Sequence, residues 1–281
     1  MIKLLVTDLD DTLYSWIGFF IPAFYGMLDE LSLILSVPKS DLLDEYQHVH
    51  QEKGSVEYPF ATLYLPSVKA AYPGKTKEEL LNILNPVFHK FNSIRKKKLE
   101  LYPGVKETLE KIAGMGIKVV GYTDSAEENG FYRLKRLGID DYFQSVYVSD
   151  SQFELPDYLP ASEKTQIVHG KKPNPAVIHK ICQQESVAIG EIVYLGDSLT
   201  KDVYMARRAG ALSVLCKYSY NAKGQDELYS KLVAISHWTA TDFEQEKAIK
   251  EICKAENIHP DYTIHAFDEI HSNTKYNSVI M

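Results

Sequence analysis

Carboxylates crowd into one short stretch near the amino terminus, VTDLDDTLY at residues 6–14. Asp8, Asp10 and Thr12 directly follow a largely apolar run at residues 2–6. A carboxylate can attack an electrophilic atom and form a covalent intermediate, and a second positioned carboxyl can donate and remove a proton. Carboxylate oxygens are also the ligands that a hard cation prefers. The simpler interpretation is that these Asp residues only cap helices and form turns.

Polar residues of complementary kinds follow other apolar runs. One run leads into Thr123, and another leads into Asp197, with Asp202 shortly after it. The loop before a later helical pattern carries Lys172, which directly precedes Pro173. A carboxylate that approaches a phosphate dianion is repelled unless positive charge lies nearby. Carboxylates, a hydroxyl and a fixed cation are therefore the side chains that phosphoryl transfer needs.

Short apolar runs alternate with helical patterns over most of the chain. The runs predict strands buried on both faces of a parallel sheet, and they lie at residues 2–7, 117–122, 145–148, 192–196 and 212–215. The helical patterns lie at residues 105–115, 126–137, 175–184 and 199–209. This alternation predicts an α/β fold, a Rossmann-like doubly wound parallel sheet with right-handed crossovers. Ligands bind at the carboxyl ends of such strands, which is where Asp8, Thr123 and Asp197 fall.

A long helical segment interrupts the alternation. It shows helical periodicity, no convincing strand, and breaks at Pro38, Gly54, Pro66 and Pro73-Gly74. We predict a helical cap domain at residues 16–101, inserted into a catalytic core of residues 1–15 and 102–281.

Two later segments are longer than ordinary connections. Residues 152–170 carry Pro156 and Pro160 and are predicted to form a surface loop or a small excursion over the sheet edge. Residues 218–260 contain two helical patterns, at 225–233 and 241–256. The sequence leaves open whether these segments form an interface or only cover an edge of the sheet.

Composition and charge narrow the classes of function. The 281 residues carry a net charge of −7, which disfavours a surface built to neutralise nucleic acid or anionic lipid. The most apolar window, residues 17–37, contains Asp29 and Glu30, so it predicts a buried helix and not a membrane span. The three Cys residues are far apart and predict reduced, packed thiols. We expect a cytoplasmic protein with no nucleic-acid or membrane partner.

Four motifs occur in order along the chain: DLDDT at residues 8–12, the strand that ends in Thr123, KKPNP at 171–175 and GDSLTKD at 196–202. In this order they resemble the motifs of the haloacid dehalogenase (HAD) superfamily, a phosphatase-rich group with an aspartate nucleophile. The resemblance covers residues 1–14 and 102–216, and residues 262–270 are similar to the closing strand and helix of that fold. It implies a Rossmann-like core and makes the helical insert a C1-type cap.

Chemistry and resemblance assign the same roles. Asp8 is the expected nucleophile, which forms an aspartyl-phosphate, and Asp10 is the expected general acid and base. Lys172 supplies a fixed cation to the nucleophile and the phosphoryl group, and Thr123 and Thr12 are expected to bind substrate as well. Mg²⁺ is the expected cofactor, with Asp8, Asp10, Asp197 and Asp202 as candidate ligands.

Several residues keep two interpretations. Asp202 lies one helical turn beyond Asp197 and is expected either to reach the metal or to orient Lys172. Ser198 either donates to the groups around the metal or caps the helix that follows. Asp124 departs from the neutral residue that the family often has there, and its charge is expected to face the metal, a cation or solvent.

The sequence therefore predicts a Mg²⁺-dependent phosphomonoester hydrolase, a phosphatase that acts on a small phosphorylated metabolite. An insert of this size is expected to close over the site and to leave no room for a large leaving group. Asp10 favours phosphorus chemistry, because the family members that attack carbon lack this second aspartate. Which ester is the substrate stays open.

Three alternative functions stay open as well. A phosphomutase would use the same catalytic residues, and a phosphonate-cleaving enzyme would need a Schiff-base lysine from the cap. The candidates for that lysine are Lys53, Lys69, Lys75 and Lys77. A catalytically silent phospholigand-binding protein would lack one of the catalytic residues, and none is missing here.

An aromatic cluster in the insert bears on the oligomeric state. It consists of Phe19, Phe20, Phe24 and Tyr25. We interpret it as core of the cap or as the contact of a homodimer.

Overall fold

The computed structural model describes residues 1–58, 60–150, 162–219 and 225–272. The chain divides into two compact units. The first consists of Met1–Ser15, Glu100–Ala222 and Glu246–Met281, and the second of Trp16–Leu99 and Lys223–Gln245. The first unit carries every residue of the predicted phosphatase site, and the second contains the helical insert.

The described residues of the first unit form a sheet of seven parallel strands. In chain order they are β1 Leu4–Thr7, β2 Lys118–Ala126, β3 Ser145–Ser149, β4 Thr165–Val168, β5 Ile192–Gly196, β6 Leu212–Cys216 and β7 Tyr262–Ile264. Their order across the sheet is β4-β3-β2-β1-β5-β6-β7. The chain moves outward from β1 to β4 and then returns to the other side of β1, so the strand order reverses there. The predicted doubly wound α/β fold is confirmed.

The register of the three central strands brings their carboxyl ends to one level. Thr7 of β1 pairs with Gly121 of β2 and with Leu195 of β5. The residues that follow these positions therefore emerge beside one another at the point where the strand order reverses, which is the usual ligand-binding edge of such a sheet.

Helices flank the sheet and make up the insert. In chain order they are α1 Trp16–Leu35, α2 Lys39–Lys53, α3 Pro66–Ala71, α4 Lys77–Ile83, α5 Asn85–Lys98, α6 Val105–Gly114, α7 Glu127–Leu137, α8 Pro175–Glu185, α9 Tyr204–Ala209, α10 Gln225–Val233, α11 Ala240–Ala255 and α12 Glu269–Ser272. A π-helical turn, Leu199–Val203, directly precedes α9. The helical patterns predicted between the strands are confirmed.

Side chains of the central strands pack against α8 and α9. Leu4 and Val6 of β1 and Tyr194 of β5 are buried in one core cluster with Ile178 and Met205. Burial of each such side chain contributes about 1.5–3 kcal/mol. Every residue of β1 is buried, because successive side chains point to opposite covered faces of the sheet. This is why the strand is an uninterrupted apolar run.

The edge strand β4 corrects one prediction. The sequence predicts a surface loop or excursion at residues 152–170, but β4 at its end pairs in parallel with β3. Only Val168 of the four residues of β4 is buried, so this strand has no apolar pattern to mark it. Residues 152–161 and 220–224, parts of the two segments whose roles the sequence leaves open, lie outside the described residues.

The helical insert has no strand in its described residues 16–58 and 60–99, in agreement with its helical periodicity. Gly54 ends α2 in the left-handed conformation, with a φ of 67°, and Pro66 is the first residue of α3. Before α4, the Thr76 hydroxyl accepts from the Glu79 N–H at 3.2 Å, and the Glu79 carboxylate accepts from the Thr76 N–H at 2.8 Å. The breaks that the sequence indicates therefore lie at helix ends.

α1 is long and apolar enough to cross a membrane by length and composition alone. The core helix of a soluble protein passes the same test. In α1, 50% of the most apolar window is buried. Phe20 stacks on Trp16 with ring centroids 4.7 Å apart, and the Phe24 and Tyr46 centroids are 4.8 Å apart. The aromatic cluster thus packs inside the second unit, as its interpretation as cap core requires.

Residues 223–245 group with the insert, although the sequence places them in the core. The Tyr25 hydroxyl of α1 donates to the Lys231 carbonyl of α10 at 3.2 Å. His50 Nδ1 lies 2.7 Å from the Ile235 carbonyl, and a neutral ring donates to it. Helical periodicity predicts these helices but not the unit against which they pack.

The buried His50 makes the stability of the second unit depend on pH. Burial lowers the pKa of His50 to about 4, although its hydrogen bond to the Ile235 carbonyl opposes the shift. The pKa of an unfolded His is about 6.5, so between pH 6.5 and 4 the unfolded chain binds a proton that the folded unit excludes. Stability therefore falls as the pH drops through this window, by about 3 kcal/mol in total.

Replacing His50 with Asn, which keeps an N–H donor for the Ile235 carbonyl, should remove this pH dependence. Urea unfolding between pH 4 and 7, followed by Trp fluorescence, measures it, because Trp16 and Trp238 both lie in the second unit. His48→Asn at an exposed position is the control and should keep the wild-type slope. An unchanged slope in His50→Asn would contradict the prediction.

Candidate active site

Three carboxylates meet at the carboxyl ends of β1 and β5. Asp8 follows β1, Asp197 follows β5, and Asp202 lies in the π-helical turn. Each offers one oxygen, and these oxygens all lie within 4.8 Å of one another. Asp8 and Asp202 are buried, and Asp197 is half-buried. The carboxylate of Asp10, the fourth candidate ligand, is not part of this group.

A buried ammonium joins two of these carboxylates. Lys172 Nζ donates to Asp8 Oδ1 and, at 2.9 Å, to Asp202 Oδ1. It also lies 5.0 and 5.6 Å from the ring centroids of Tyr122 and Tyr194. Burial alone lowers the pKa of Lys172, but the charges of Asp202 and Asp8 outweigh burial and raise that pKa. The side chain therefore stays a cation beside the candidate nucleophile.

Asp202 is held from several directions. The Tyr194 hydroxyl donates to its Oδ1 at 3.0 Å, and the Ser198 backbone N–H donates to its Oδ2 at 3.1 Å. Gly196 makes room for it, since a Cβ at position 196 would lie 2.3 Å from the Asp202 Cγ. Asp202 is a member of the acid group and contacts Lys172, so its position is compatible with either predicted role.

A residue of the turn after β1 forms a hydrogen bond with Asp8, which lies at the start of the same turn. Thr12 is buried, and its hydroxyl donates to Asp8 Oδ2 at 3.0 Å. The Tyr218 hydroxyl donates to the Thr12 carbonyl at 2.6 Å. Asp11 has a left-handed backbone with a φ of 56°, a conformation that Asp tolerates better than most residues. Thr12 is a predicted substrate-binding residue, but in this structure its hydroxyl donates a hydrogen bond to Asp8.

Asp10 and Thr123 form a separate cluster with two residues that the sequence analysis does not identify. The hydroxyls of Thr123 and Ser125 donate to Asp10 Oδ2 at 3.1 and 2.8 Å. Arg133 Nη1 donates to Asp10 Oδ1 at 2.7 Å. Arg133 lies on the buried stripe of α7 next to Leu134, and an arginine at that spacing is the one signal that the sequence offers.

Asp124 contacts the loop that carries Lys172. Its Oδ1 accepts from the Lys172 backbone N–H at 2.9 Å, and its Oδ2 lies 3.9 Å from Lys201 Nζ. The charge of Asp124 thus faces a backbone donor and a cation, which is one of the predicted alternatives. The Ser198 hydroxyl accepts from the Lys201 backbone N–H at 3.2 Å, so Ser198 caps the helical turn.

When ionised, the three clustered carboxylates outnumber the ammonium of Lys172. Burial raises the pKa of Asp8 against the opposing charge of Lys172, and the nearby acids add to the rise. Burial and the charge of Asp202 raise the pKa of Asp197 to about 8. A hard divalent cation would offset the excess negative charge, and clustered carboxylate oxygens are donors that Mg²⁺ accepts. The donor set therefore fits the predicted cofactor.

The sheet order defines a Rossmann-like fold, and the acid cluster lies at its switch point. The sequence model of the family of haloacid dehalogenase-like hydrolases matches residues 6–216 of the chain. The chain belongs to this family of hydrolases. Its helical insert between β1 and β2 occupies the sequence position of a C1 cap.

Known relatives refine the class. A glyceraldehyde 3-phosphate phosphatase of Methanopyrus kandleri is 28% identical over 217 residues, 76% of this chain and 83% of that protein. A phosphoglycolate phosphatase of Nitrosospira multiformis is 27% identical over 250 residues, 88% of this chain and 97% of that protein. The crystal structure of a HAD phosphatase from Thermococcus onnurineus shares the fold, with a TM-score of 0.56 at 20% identity over 95% of each chain.

Some other relatives match over about half of their own length or less. Because the two longer matches are to phosphatases, the chain is a hydrolase of the phosphatase type.

Gly196→Ala should disturb this site without removing a chemical group. The new Cβ would overlap Asp202, which must then move relative to Lys172. We expect kcat/KM for phosphate release to fall about 100-fold, since a displacement of about 1 Å in a catalytic assembly can cost that much. Gly190→Ala is the control, because nothing lies within 4 Å of a Cβ there. Equal rates in the two variants, both folded by circular dichroism, would refute this prediction.

Proposed function

We propose that the protein is a Mg²⁺-dependent phosphomonoester hydrolase that works through an aspartyl-phosphate on Asp8. The observation that carries the proposal is the position of the Asp8 carboxylate, in contact with a buried lysine and clustered with two further carboxylates. A nucleophile, a fixed cation and a set of hard oxygen ligands are the main requirements of phosphoryl transfer.

Asp8 attacks phosphorus, so that a bond from its oxygen to phosphorus forms as the bond to the ester oxygen breaks. Thr12 binds Oδ2 of Asp8 and Lys172 binds Oδ1, which fixes the direction of the carboxylate. Lys172 also offsets negative charge as the phosphoryl group is transferred. Water then attacks the aspartyl-phosphate, which releases inorganic phosphate and restores Asp8.

Asp10 is the proposed general acid and base. It gives a proton to the leaving ester oxygen and takes one from the attacking water, a contribution typically of about 10²- to 10⁴-fold in rate. The Thr123 hydroxyl donates to Asp10 in this structure. Its proposed hydrogen bond to the phosphoryl oxygens requires that the hydroxyl turns toward the substrate.

Asp8, Asp197 and Asp202 are the residues that would hold Mg²⁺. When bound, the ion supplies positive charge that offsets the repulsion between the nucleophile and the phosphate dianion. Asp10 is left out of the proposed ligand set, because its carboxylate oxygens accept from Thr123, Ser125 and Arg133.

The proposed substrate is a small phosphorylated metabolite. The two relatives that match over most of the chain are named for glyceraldehyde 3-phosphate and phosphoglycolate. Other sugar phosphates and nucleoside monophosphates belong to the same chemical class. The net charge of −7 disfavours a polyanionic substrate. We also propose a cytoplasmic location for the protein.

The lysines of the insert do not favour the phosphonate-cleaving alternative. A Schiff base forms from a neutral amine, which desolvation or a neighbouring cation promotes. Lys53 instead pairs with Glu52 at 2.9 Å and lies over the rings of Tyr58 and Tyr64. The other candidates, Lys69, Lys75 and Lys77, also contact an acid or an aromatic ring. Such contacts stabilise the charged ammonium.

Phosphate release from a panel of small phosphomonoesters tests the proposed function. We expect turnover that requires Mg²⁺ and that falls at least about 10⁴-fold in Asp8→Asn, because the nucleophile is lost. Asp10→Asn should cost about 10²- to 10⁴-fold through the loss of proton transfer. Asp141→Asn changes an exposed Asp of the same unit and is the matched control, expected to keep the wild-type rate.

Other outcomes would point to the alternatives. Conversion of a sugar phosphate into its isomer without phosphate release would indicate a mutase. Binding of phosphate esters without any turnover would indicate a silent binding protein. Turnover that survives in Asp8→Asn would remove the aspartyl-phosphate from the proposal.

A further inference from the structure

A buried arginine faces the proposed acid and base. Arg133 of α7 has 3% of its side chain exposed, and its Nη1 donates to Asp10 Oδ1 at 2.7 Å and to the Ser125 hydroxyl at 3.1 Å. A guanidinium stays charged at physiological pH and is rarely buried without an opposite charge. In this structure the Asp10 carboxyl group is the acidic partner of that guanidinium.

The surrounding elements bring Arg133 to this contact. Gly130, one turn earlier on α7, lies close to Thr123, and a Cβ at position 130 would lie 3.0 Å from the Thr123 Cγ2. The close approach of α7 to the end of β2 places Arg133 within reach of Asp10 in the turn after β1. Tyr14 is buried beside the pair, and burial and the charge of Asp10 raise its pKa, so its hydroxyl stays neutral.

Both oxygens of the Asp10 carboxylate accept hydrogen bonds. Oδ2 accepts from Thr123 and Ser125, and Oδ1 accepts from Arg133. Donors on both oxygens fix the plane and the direction of a carboxylate, whereas donors on one oxygen leave it free to rotate. The contact between Arg133 and the Ser125 hydroxyl closes the network.

We propose that Arg133 is a positioning residue that sets the orientation of Asp10 for proton transfer to the leaving group, an inference that rests on the proposed phosphatase reaction. Arg133 acts through Asp10 and not through contact with the substrate. Without Arg133, Asp10 loses the donor that the guanidinium supplies to Oδ1, and fewer enzyme–substrate complexes have its carboxyl directed at the ester oxygen.

The test compares two esters that differ in their need for an acid. The leaving group of an alkyl ester such as glycerol phosphate is a strongly basic alkoxide, which needs a proton as it departs. The leaving group of p-nitrophenyl phosphate is a stable phenolate, which needs almost none. We expect Arg133→Met to lower kcat/KM about tenfold for the alkyl ester and less than about threefold for p-nitrophenyl phosphate, with Arg133→Lys in between. Arg207→Met breaks another Arg–Asp pair of the first unit, with Asp261, and should change neither rate.

The same substitution in the Asp10→Asn background shows whether Arg133 acts through Asp10. There we expect Arg133→Met to change kcat/KM for the alkyl ester less than about twofold, because coupled residues are not additive. A full tenfold loss in that background, or an equal loss for both esters, would overturn the proposal. A tenfold rise in KM at unchanged kcat would also overturn it, since that result would assign Arg133 to substrate binding.

Ser125→Ala keeps the test decisive if Arg133→Met does not fold. It removes one donor to Asp10 and leaves Arg133 in place, and it should show the same preference for p-nitrophenyl phosphate to a smaller extent. Equal losses for both esters in Ser125→Ala and in Arg133→Lys would then overturn the proposal.

Failure of the proposed function would give a different result. In that case the wild type would release no phosphate from either ester, or Asp8→Asn would release it as well. A wild type that depends on Asp8, combined with equal losses for both esters in Arg133→Met, would overturn the role of Arg133 alone.

Discussion

The buried ammonium of Lys172 is the constraint on which the rest of the first unit depends. Its side chain is 3% exposed, and it donates to Asp8, which follows β1, and to Asp202 in the π-helical turn after β5. Loss of one partner of such a buried pair costs about 3–5 kcal/mol, a large share of the roughly 5–15 kcal/mol that stabilises a typical domain. The register of β1 with β5, the missing side chain at Gly196 and the Tyr194 hydroxyl all serve this one contact.

The sequence predicts the fold best where burial is complete. β1 and β5 are buried at every position, so each is a continuous apolar run with a polar residue at its end. β4 lies at the edge of the sheet with one buried residue, and nothing in TQIV distinguishes it from a loop. Residues 223–245 show a similar limit, because the contact of Tyr25 with Lys231 spans 206 positions of sequence. Periodicity predicts a helix but not a partner so distant.

In the candidate site, the sequence predicts where the residues lie but not how every side chain is oriented. Asp8, Lys172 and Asp202 could be predicted to meet, because each is fixed by its place at a strand end or in a motif. The direction of the Asp10 side chain could not, since it depends on Arg133, which lies 123 positions away. Arg133 belongs to the run RLKR, which resembles a solvated helix end. Only its place on the buried stripe of α7 separates it from its basic neighbours.

Asp8 and Asp10 lie two residues apart in different electrostatic surroundings. Asp8 lies among carboxylates, whose excess negative charge attracts a cation, and Lys172 donates to its Oδ1. The same carboxylates repel Asp10, while Arg133 attracts it toward the hydroxyls at the end of β2. Enzymes that use two carboxyl groups in different roles separate them in this way, by environment and not by chemical type. Arg133 therefore helps to hold Asp10 apart from the acid cluster, in the orientation proposed for proton transfer.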